Sequence, residues 1–358
     1  MPNRKRLGVG VVGCGNIAAA YTTDLAGYPD VDFRGVTDLD PTRAAALAQA
    51  HDVQAYPDLD AMLDDPAVDI VVNLTTHHAH HAVVRRCLEA DRHVYSEKPL
   101  SLEYAEAREL VELAERRGLR LACAPATFLG EAQQTAMRHV REGGIGRVRV
   151  VYAEVNWGRI ESWHPEPAAF YDVGPLFDVG VYPLTVATAL LGPARRVTAF
   201  GTVVHPRRTT VDGAPFTVTT PDFVVAVVEL ASGCLVRLTA NFYVGRHSVQ
   251  RGMEFHGDEG SLYLSDWHDF DGTVETAPFG GPYRSLPLAR AATRNMERGR
   301  AVLDLVEAIR EERPHRADGR QAAHVVEILC AARESYLTHQ PVQVCSDFVP
   351  PEPMEWAR

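Results

Sequence analysis

Cysteine is scarce in this chain. Cys14, Cys87, Cys123, Cys234, Cys330 and Cys345 are the six among 358 residues, and none forms a close pair. That spacing argues against a disulfide framework and against a zinc site; a reduced, cytoplasmic setting is expected. Positive charge is also in deficit, with 36 Lys and Arg against 47 Asp and Glu, a net charge of −11. A nucleic-acid footprint is therefore not expected. No apolar run reads as long enough to span a membrane. Arg4-Lys5-Arg6 followed by Leu7 to Val12 superficially resembles a secretory signal, but Gly8, Gly10, Gly13, Gly15 and Asn16 break it. Neither an internal repeat nor a low-complexity tract is present.

The length exceeds one ordinary core, so two domains are expected, 1–124 and 125–358. The first opens on the most informative motif, Gly13-Cys14-Gly15-Asn16-Ile17-Ala18, directly after Leu7 to Val12. A buried strand running into a glycine turn and a helix can set a pyrophosphate on the helix N-terminus. Gly13 permits the turn, Gly15 admits the phosphates, and Ala18 lets helix pack on strand. A second strand, Phe33 to Val36, ends at Asp38, where a carboxylate can accept from the ribose hydroxyls. Such a carboxylate repels a ribose phosphate, which favours NAD over NADP. Arg43, the nearest cation, reads as part of a helix capped by Asp40 with Pro41 in its first turn.

Strand and helix go on alternating: helix at Ala44 to Ala50, strand at Ile70 to Leu74, helix at Val83 to Ala90, strand at His93 to Tyr95. Ser101 is expected to cap a helix that stops at Gly118, and Leu119 to Ala124 reads as another strand. This pattern predicts a doubly wound parallel sheet, a Rossmann domain. Beyond Pro125 the pattern changes. A helix at Gln133 to Glu142 precedes the long strands Val148 to Val155, Val197 to Val204, Phe223 to Leu230 and Leu235 to Phe242, with a turn at Ala231-Ser232-Gly233. A second α/β domain on an open, mostly antiparallel sheet follows. Helices are expected at Pro175 to Leu191, Asn295 to Glu312, and Gly319 to Thr338 with Asp318 as cap. Pro206 to Pro221 reads as a surface loop and Pro350 to Arg358 as an extended tail.

Four segments resemble the glucose–fructose oxidoreductase, inositol dehydrogenase and rhizopine-catabolism (Gfo/Idh/MocA) family over nearly the whole chain. They are the glycine turn; Asn73-Leu74-Thr75-Thr76-His77-His78-Ala79-His80, with Thr76 where the family usually has proline; Glu97-Lys98-Pro99; and Asp178-Val179-Gly180-Val181-Tyr182, with tyrosine in place of the usual histidine. The resemblance implies an NAD-dependent oxidoreductase acting on a sugar, cyclitol or glycoside hydroxyl. It implies cofactor contacts at Thr75, His80, Glu97 and Lys98 beside those at Gly13, Gly15, Asn16, Ile17 and Asp38. It places Lys98 beside the nicotinamide, Pro99 after a cis bond, and a homodimer or homotetramer on the second sheet. An alternative within the family is an NAD-dependent glycoside hydrolase acting by transient oxidation, elimination and reduction. A non-catalytic dinucleotide sensor is a third, against which Lys98 and Tyr182 speak.

Hydride transfer needs a base for the hydroxyl proton. A free tyrosine titrates near ~10, and a nearby ammonium favours its phenolate, so Lys98 with Tyr182 suits the task. Asp178 lies four residues before Tyr182, which on one helix puts both on one face and lets Asp178 orient a substrate hydroxyl. Singly, each has a plainer reading: Lys98 as an ion-pair partner of Glu97, Tyr182 as a core residue, Asp178 as a cap partner. Trp157, Arg159, Trp163 and His164 suit a sugar face and its hydroxyls or an anionic group, or else pack a surface loop. Arg246 and His247 are further candidates. His77, His78, His80 and His81 lack acids or thiols at ligand spacing, so no metal is expected.

Overall fold

The sequence splits its apolar patterning in two, and so does the chain. A computed structural model describes residues 6–358; Arg4 and Lys5 of the basic patch lie outside the described residues. Two compact units result: 1–126 with 297–323, and 127–296 with 324–358. The expectation that everything after 125 joins the second unit fails for 297–323.

In the first unit, strands β1 (Leu7–Val12), β2 (Val31–Thr37), β3 (Gln54–Ala55), β4 (Ile70–Asn73), β5 (His93–Ser96) and β6 (Leu121–Cys123) alternate with helices α1 (Ala18–Gly27), α2 (Pro41–His51), α3 (Leu59–Asp64), α4 (His80–Glu89) and α5 (Tyr104–Arg116). All strand pairs are parallel, in the order β3-β2-β1-β4-β5-β6. The central strands β1 and β4 are near-continuous apolar runs, as expected where helices cover both faces; Val9, Val11, Ile70, Val71, Val72 and Val94 have no exposed surface. Asp40 caps α2 through the Thr42 amide as expected. Ser101 does not cap α5. Glu103 precedes that helix, and the Ser101 hydroxyl instead donates to Glu106 and accepts from the Glu103 amide.

The second unit runs α6 (Glu131–Arg141), β7 (Val148–Asn156), α7 (Ala168–Asp178), α8 (Val181–Leu191), β8 (Ala194–Thr202), β9 (Arg207–Thr209), β10 (Pro215–Thr217), β11 (Phe223–Leu230), β12 (Leu235–Asn241), β13 (Gly252–Gly257), β14 (Gly260–Leu264), β15 (Val274–Pro278) and β16 (Arg284–Ser285). Helix α9 (Arg300–Arg310) belongs to the first unit, contacting α1 and β6. Its Asp304 receives Arg316 in a buried ion pair, and the Gly299 amide donates to Asp24 at 2.9 Å. This packing is why the segment leaves the second unit. Helix α10 (Gly319–Thr338), with Asp318 accepting from the Arg320 amide, and β17 (Val342–Gln343) complete the chain. The nine-stranded sheet has the order β16-β15-β14-β13-β7-β12-β11-β8-β17. Every neighbour pair is antiparallel except β7 with β12.

Three expectations need correction here. Pro206 to Pro221 is not a plain surface loop, because β9 and β10 form a hairpin. Its Arg208 is buried, ion-paired to Glu161 at 2.8 Å and to Asp222, and laid over the Tyr171 ring at 4.5 Å. Two carboxylates facing one guanidinium draw the hairpin inward. The tail is not wholly extended, since Glu355–Ala357 turns as a 3₁₀ helix and the Met354 amide donates to Gln134. Finally, the stretch Ala168–Leu191 is long and apolar enough to cross a membrane by length and composition, but 94% of that window is buried inside the protein, as a core helix pair would be.

His324 offers a pH test of the second unit. Its Nε2 accepts from the Ala194 amide at 2.8 Å and its Nδ1 meets the Ser346 hydroxyl. Burial pulls its imidazole down to about 4. The unfolded chain, with an ordinary imidazole near ~6.5, therefore binds the extra proton first as pH falls. Stability is complete above that value and is lost as pH drops towards 4, by up to about 3 kcal/mol. Urea titrations from pH 7 to pH 4 should show this slope, and His324→Gln should flatten it.

Candidate functional site

In the first unit the site begins where β1 ends. Gly13 has φ +96°, and a Cβ there would lie 2.7 Å from the Leu74 carbonyl carbon, so only glycine serves. Its amide donates to the Thr37 carbonyl at 2.9 Å. The next amide, Cys14, donates to Asp38 Oδ2 at 2.6 Å, while Asp38 Oδ1 accepts from the Asp40 amide at 2.8 Å. Asp38, expected to accept from the ribose hydroxyls, is thus fixed against the glycine turn. A Cβ on Gly15 would meet nothing within 4 Å, so no packing inside the protein demands that glycine; open space before it does. Asn16 and Ile17 lead into α1, whose start has neither a side-chain cap nor an acid in its first turn among the described residues. A helix beginning in that state favours an anion.

The second part of this face is a hydrogen-bonded set behind Lys98. Asn73 donates to the Ser96 hydroxyl and accepts from both the amide and hydroxyl of Thr75. His80 is buried, with Nε2 at 3.1 Å from the Thr75 carbonyl and Nδ1 at 2.7 Å from the Pro99 carbonyl. Burial lowers its pKa, and a neutral ring donates to one carbonyl at a time. Glu97 accepts from the Tyr21 hydroxyl at 2.6 Å and from the Lys98 amide at 3.0 Å. Burial pushes the phenols of Tyr21 and Tyr95 well up. The Lys98–Pro99 peptide is cis. His77 lies 6.0 Å from His80 between ring centroids, and His81 pairs with Glu109 at 2.6 Å.

In the second unit Asp178 and Tyr182 are both buried, but they do not share one helix. Asp178 ends α7, Gly180 precedes α8, and the Tyr182 amide donates to the Val179 carbonyl at 3.2 Å. Gly174 at φ +78° and Pro175 interrupt α7 as well. Glycines at 174 and 180 and a proline between them explain why the single helix expected at 175–191 breaks.

Tyr182 packs on Trp267 at 5.2 Å and on His268 at 5.4 Å between ring centroids. Trp157 lies 5.9 Å from Trp267, and Arg246 stacks on Trp157 at 3.7 Å. Arg159 stacks on Tyr243 at 4.8 Å. Trp163 and His164 stand apart from this cluster, in one of their own with Phe170. Trp163 is 53% exposed. Of the expected substrate residues, Trp157 joins Tyr182 through Trp267 in a chain of ring contacts.

Sequence reasoning missed Asp266-Trp267-His268-Asp269, just beyond β14. His268 Nδ1 meets Asp269 Oδ1 at 2.7 Å, and that bond holds the Asp269 carboxyl below its usual range. Asp266, His268 and Asp269 are the described residues at metal-ligand spacing, within 4.8 Å of one another. Asp266 Oδ1 is already taken by the amides of His268 and Asp269. The signal available was an aromatic and charged loop directly after an apolar strand.

Two family models match the chain. The family model described as oxidoreductase family, NAD-binding Rossmann fold, matches residues 7–124, and the GFO/IDH/MocA C-terminal domain matches 133–263. The chain belongs to the Gfo/Idh/MocA oxidoreductase family. The first unit is therefore an NAD-binding Rossmann domain, and NAD is the cofactor. This Gfo/Idh/MocA chain is 32% identical over 268 residues to a dTDP-3,4-didehydro-2,6-dideoxy-alpha-D-glucose 3-reductase of Streptomyces violaceoruber, covering 73% of each. It is 32% identical over 187 residues to a trans-1,2-dihydrobenzene-1,2-diol dehydrogenase of Macaca fuscata fuscata, covering 51% of this chain and 55% of the relative. Levoglucosan dehydrogenase in complex with NADH and levoglucosan shares the fold, with a TM-score of 0.83 and 20% identity over 95% of this chain and all of that one.

Two glycine substitutions separate folding from cofactor binding. Gly13→Ala forces a Cβ against backbone at positive φ and should lower both Tm and NAD affinity. Gly15→Ala meets no protein atom, so it should leave Tm unchanged and weaken NAD binding about tenfold. Thermal unfolding by circular dichroism and NAD titration by calorimetry read the two effects.

Proposed function

We propose that this protein is an NAD-dependent dehydrogenase or reductase of a hydroxyl-bearing ring carbon on a sugar or sugar-like compound. The observation that carries the reading is Tyr182, buried and set on Trp267 and His268 in a chain whose Glu97-Lys98-Pro99 segment is anchored by Tyr21 and His80. The named relatives support it, since they are reductases and dehydrogenases of sugar or cyclic diol substrates. Redox-neutral glycoside hydrolysis gains nothing from them.

Bound NAD supplies a hydride acceptor. Gly13 makes the turn, the backbone amides of Gly15, Asn16 and Ile17 would face its pyrophosphate, and Asp38 would take the ribose hydroxyls and oppose a ribose phosphate. Thr75, His80 and Glu97 fix the loops beside Lys98. Tyr182 Oη accepts the substrate hydroxyl proton in oxidation and returns it in reduction, and Lys98 supplies a catalytic ammonium. Asp178 holds a neighbouring hydroxyl. Trp157 offers a face to the ring, with Arg159 nearby, while Trp163 and His164 form the outer edge. The unit 127–296 with 324–358 binds the substrate. Phe200, Val227 and Leu235, exposed on the outer face of the large sheet, supply the contact of a homodimer or homotetramer.

Purified protein with NAD and a panel of sugars, cyclitols and levoglucosan should produce NADH with at least one ring alcohol. Tyr182→Phe should cut kcat at least ~100-fold and leave the Kd for NAD unchanged. Full activity in Tyr182→Phe would remove Tyr182 as the base. No turnover across the panel, in either direction, would remove the substrate class.

A further inference from the structure

We propose that Arg159 and Arg246 form a receptor for an anionic group, so that the substrate is a sugar bearing a carboxylate or a phosphate. This rests on the sugar-oxidoreductase reading above and narrows it.

The chain carries more acid than base, and its arginines commonly sit on carboxylates. Arg208 holds Glu161 and Asp222, Arg149 holds Asp258, and Arg290 holds Glu131. Arg159 and Arg246 differ. Both are exposed, and among the described residues neither makes an ion pair within 4.0 Å. Each guanidinium is stacked instead, Arg159 on Tyr243 at 4.8 Å and Arg246 on Trp157 at 3.7 Å. Stacking fixes a long side chain without neutralising it, and the five N–H donors lie in the guanidinium plane rather than towards the ring. A cation held in this way is set up for a carboxylate or phosphate.

The two arginines are brought together by the backbone. β7 and β12 are parallel neighbours, and the loops beyond their C-terminal ends carry Trp157-Gly158-Arg159 and Tyr243-Val244-Gly245-Arg246. Asn156 and Asn241 close both strands, joined by Asn241 Nδ2 to Asn156 Oδ1 at 2.7 Å. Asn241 Oδ1 also accepts from the amides of Tyr243 and Val244, and Asn156 donates to the Gln250 carbonyl. A Cβ on Gly158 would lie 3.5 Å from Gly245 Cα, so the loops run side by side. Trp157 then links Arg246 through Trp267 to Tyr182.

The nearby counter-charge is Asp269, whose field reaches Arg246. Its carboxylate is engaged by His268 at 2.7 Å, which leaves the arginine donors for a ligand. His205, 6.5 Å from Tyr243 between ring centroids, and His247 add polar donors to the same rim.

The test uses the full chain loaded with NADH and calorimetric titration of three probes: glucuronate, glucose 6-phosphate and methyl glucoside. At least one anion should bind about tenfold or more tightly than the neutral glycoside. Arg159→Gln and Arg246→Gln should each remove most of that margin, and Arg246→Lys, which keeps charge but not the planar fork, should keep part of it. Tm measured alongside confirms folding. Tight glucuronate alone identifies a carboxylate ligand, and tight glucose 6-phosphate alone a phosphate. Equal binding of all three probes, or anion binding that survives both glutamine substitutions, overturns the proposal. NADH formation from neutral sugars as fast as from acidic ones overturns it and leaves the oxidoreductase reading intact. Anion binding that depends on both arginines, without turnover of any sugar, has the reverse meaning.

Discussion

One parallel strand pair sets where the second unit's aromatic and basic loops emerge. In a sheet otherwise antiparallel at every join, β7 runs with β12. Because β13 and then β14 each reverse direction, β14 also runs with β7. Three loops therefore leave the same end of the sheet, carrying Trp157, Arg246 and Trp267. An all-antiparallel order would have sent one of these loops to the far edge. The aromatic series from Arg246 through Trp157 and Trp267 to Tyr182 depends on that direction, and so does the amide pair of Asn156 and Asn241 that holds two of the loops.

The Rossmann unit solves a different problem with carboxylates. Asp38 and Glu97 are each spent partly on the backbone of their own loops, at the Cys14 and Asp40 amides and at the Lys98 amide. A carboxylate receiving amide donors is held in place. The acids thus shape the turns of their own loops. Their positions at strand ends follow from parallel pairing, in which Val12 sits opposite Thr37 and Asn73 opposite Ser96.

What could be read from the sequence was local. The run from Leu7 through Gly13 into α1 needs only strand, turn and helix in succession, and so it was legible. Asp38 was legible for the same reason, at the end of a short apolar strand, whereas Glu97-Lys98-Pro99 stood out through its resemblance to the family. Lys98 carried a further signal that went unused, because the chain's other lysine is Lys5. Long-range features were not legible. Arg208 looked like loop polarity until Glu161 and Asp222 met it from distant segments. Trp267 and His268 gained meaning only when β14 placed them against α8. The break between Asp178 and Tyr182 was misread because apolar content suggested one helix, while Gly174, Pro175 and Gly180 decided otherwise.

The return of α9 to the first unit has a consequence for biosynthesis. The chain passes from one unit to the other after 126, after 296 and again after 323. The Rossmann sheet is threaded within the first 123 residues, but its covering helix and the Asp304–Arg316 ion pair arrive only near residue 316. The central part of the second unit, 127–296, leaves the ribosome before then. The usual order, in which an N-terminal domain finishes folding first, is thereby inverted. The dinucleotide-binding half waits, with the α1 and β6 surfaces that α9 will contact still uncovered, for a segment synthesised after the whole of 127–296.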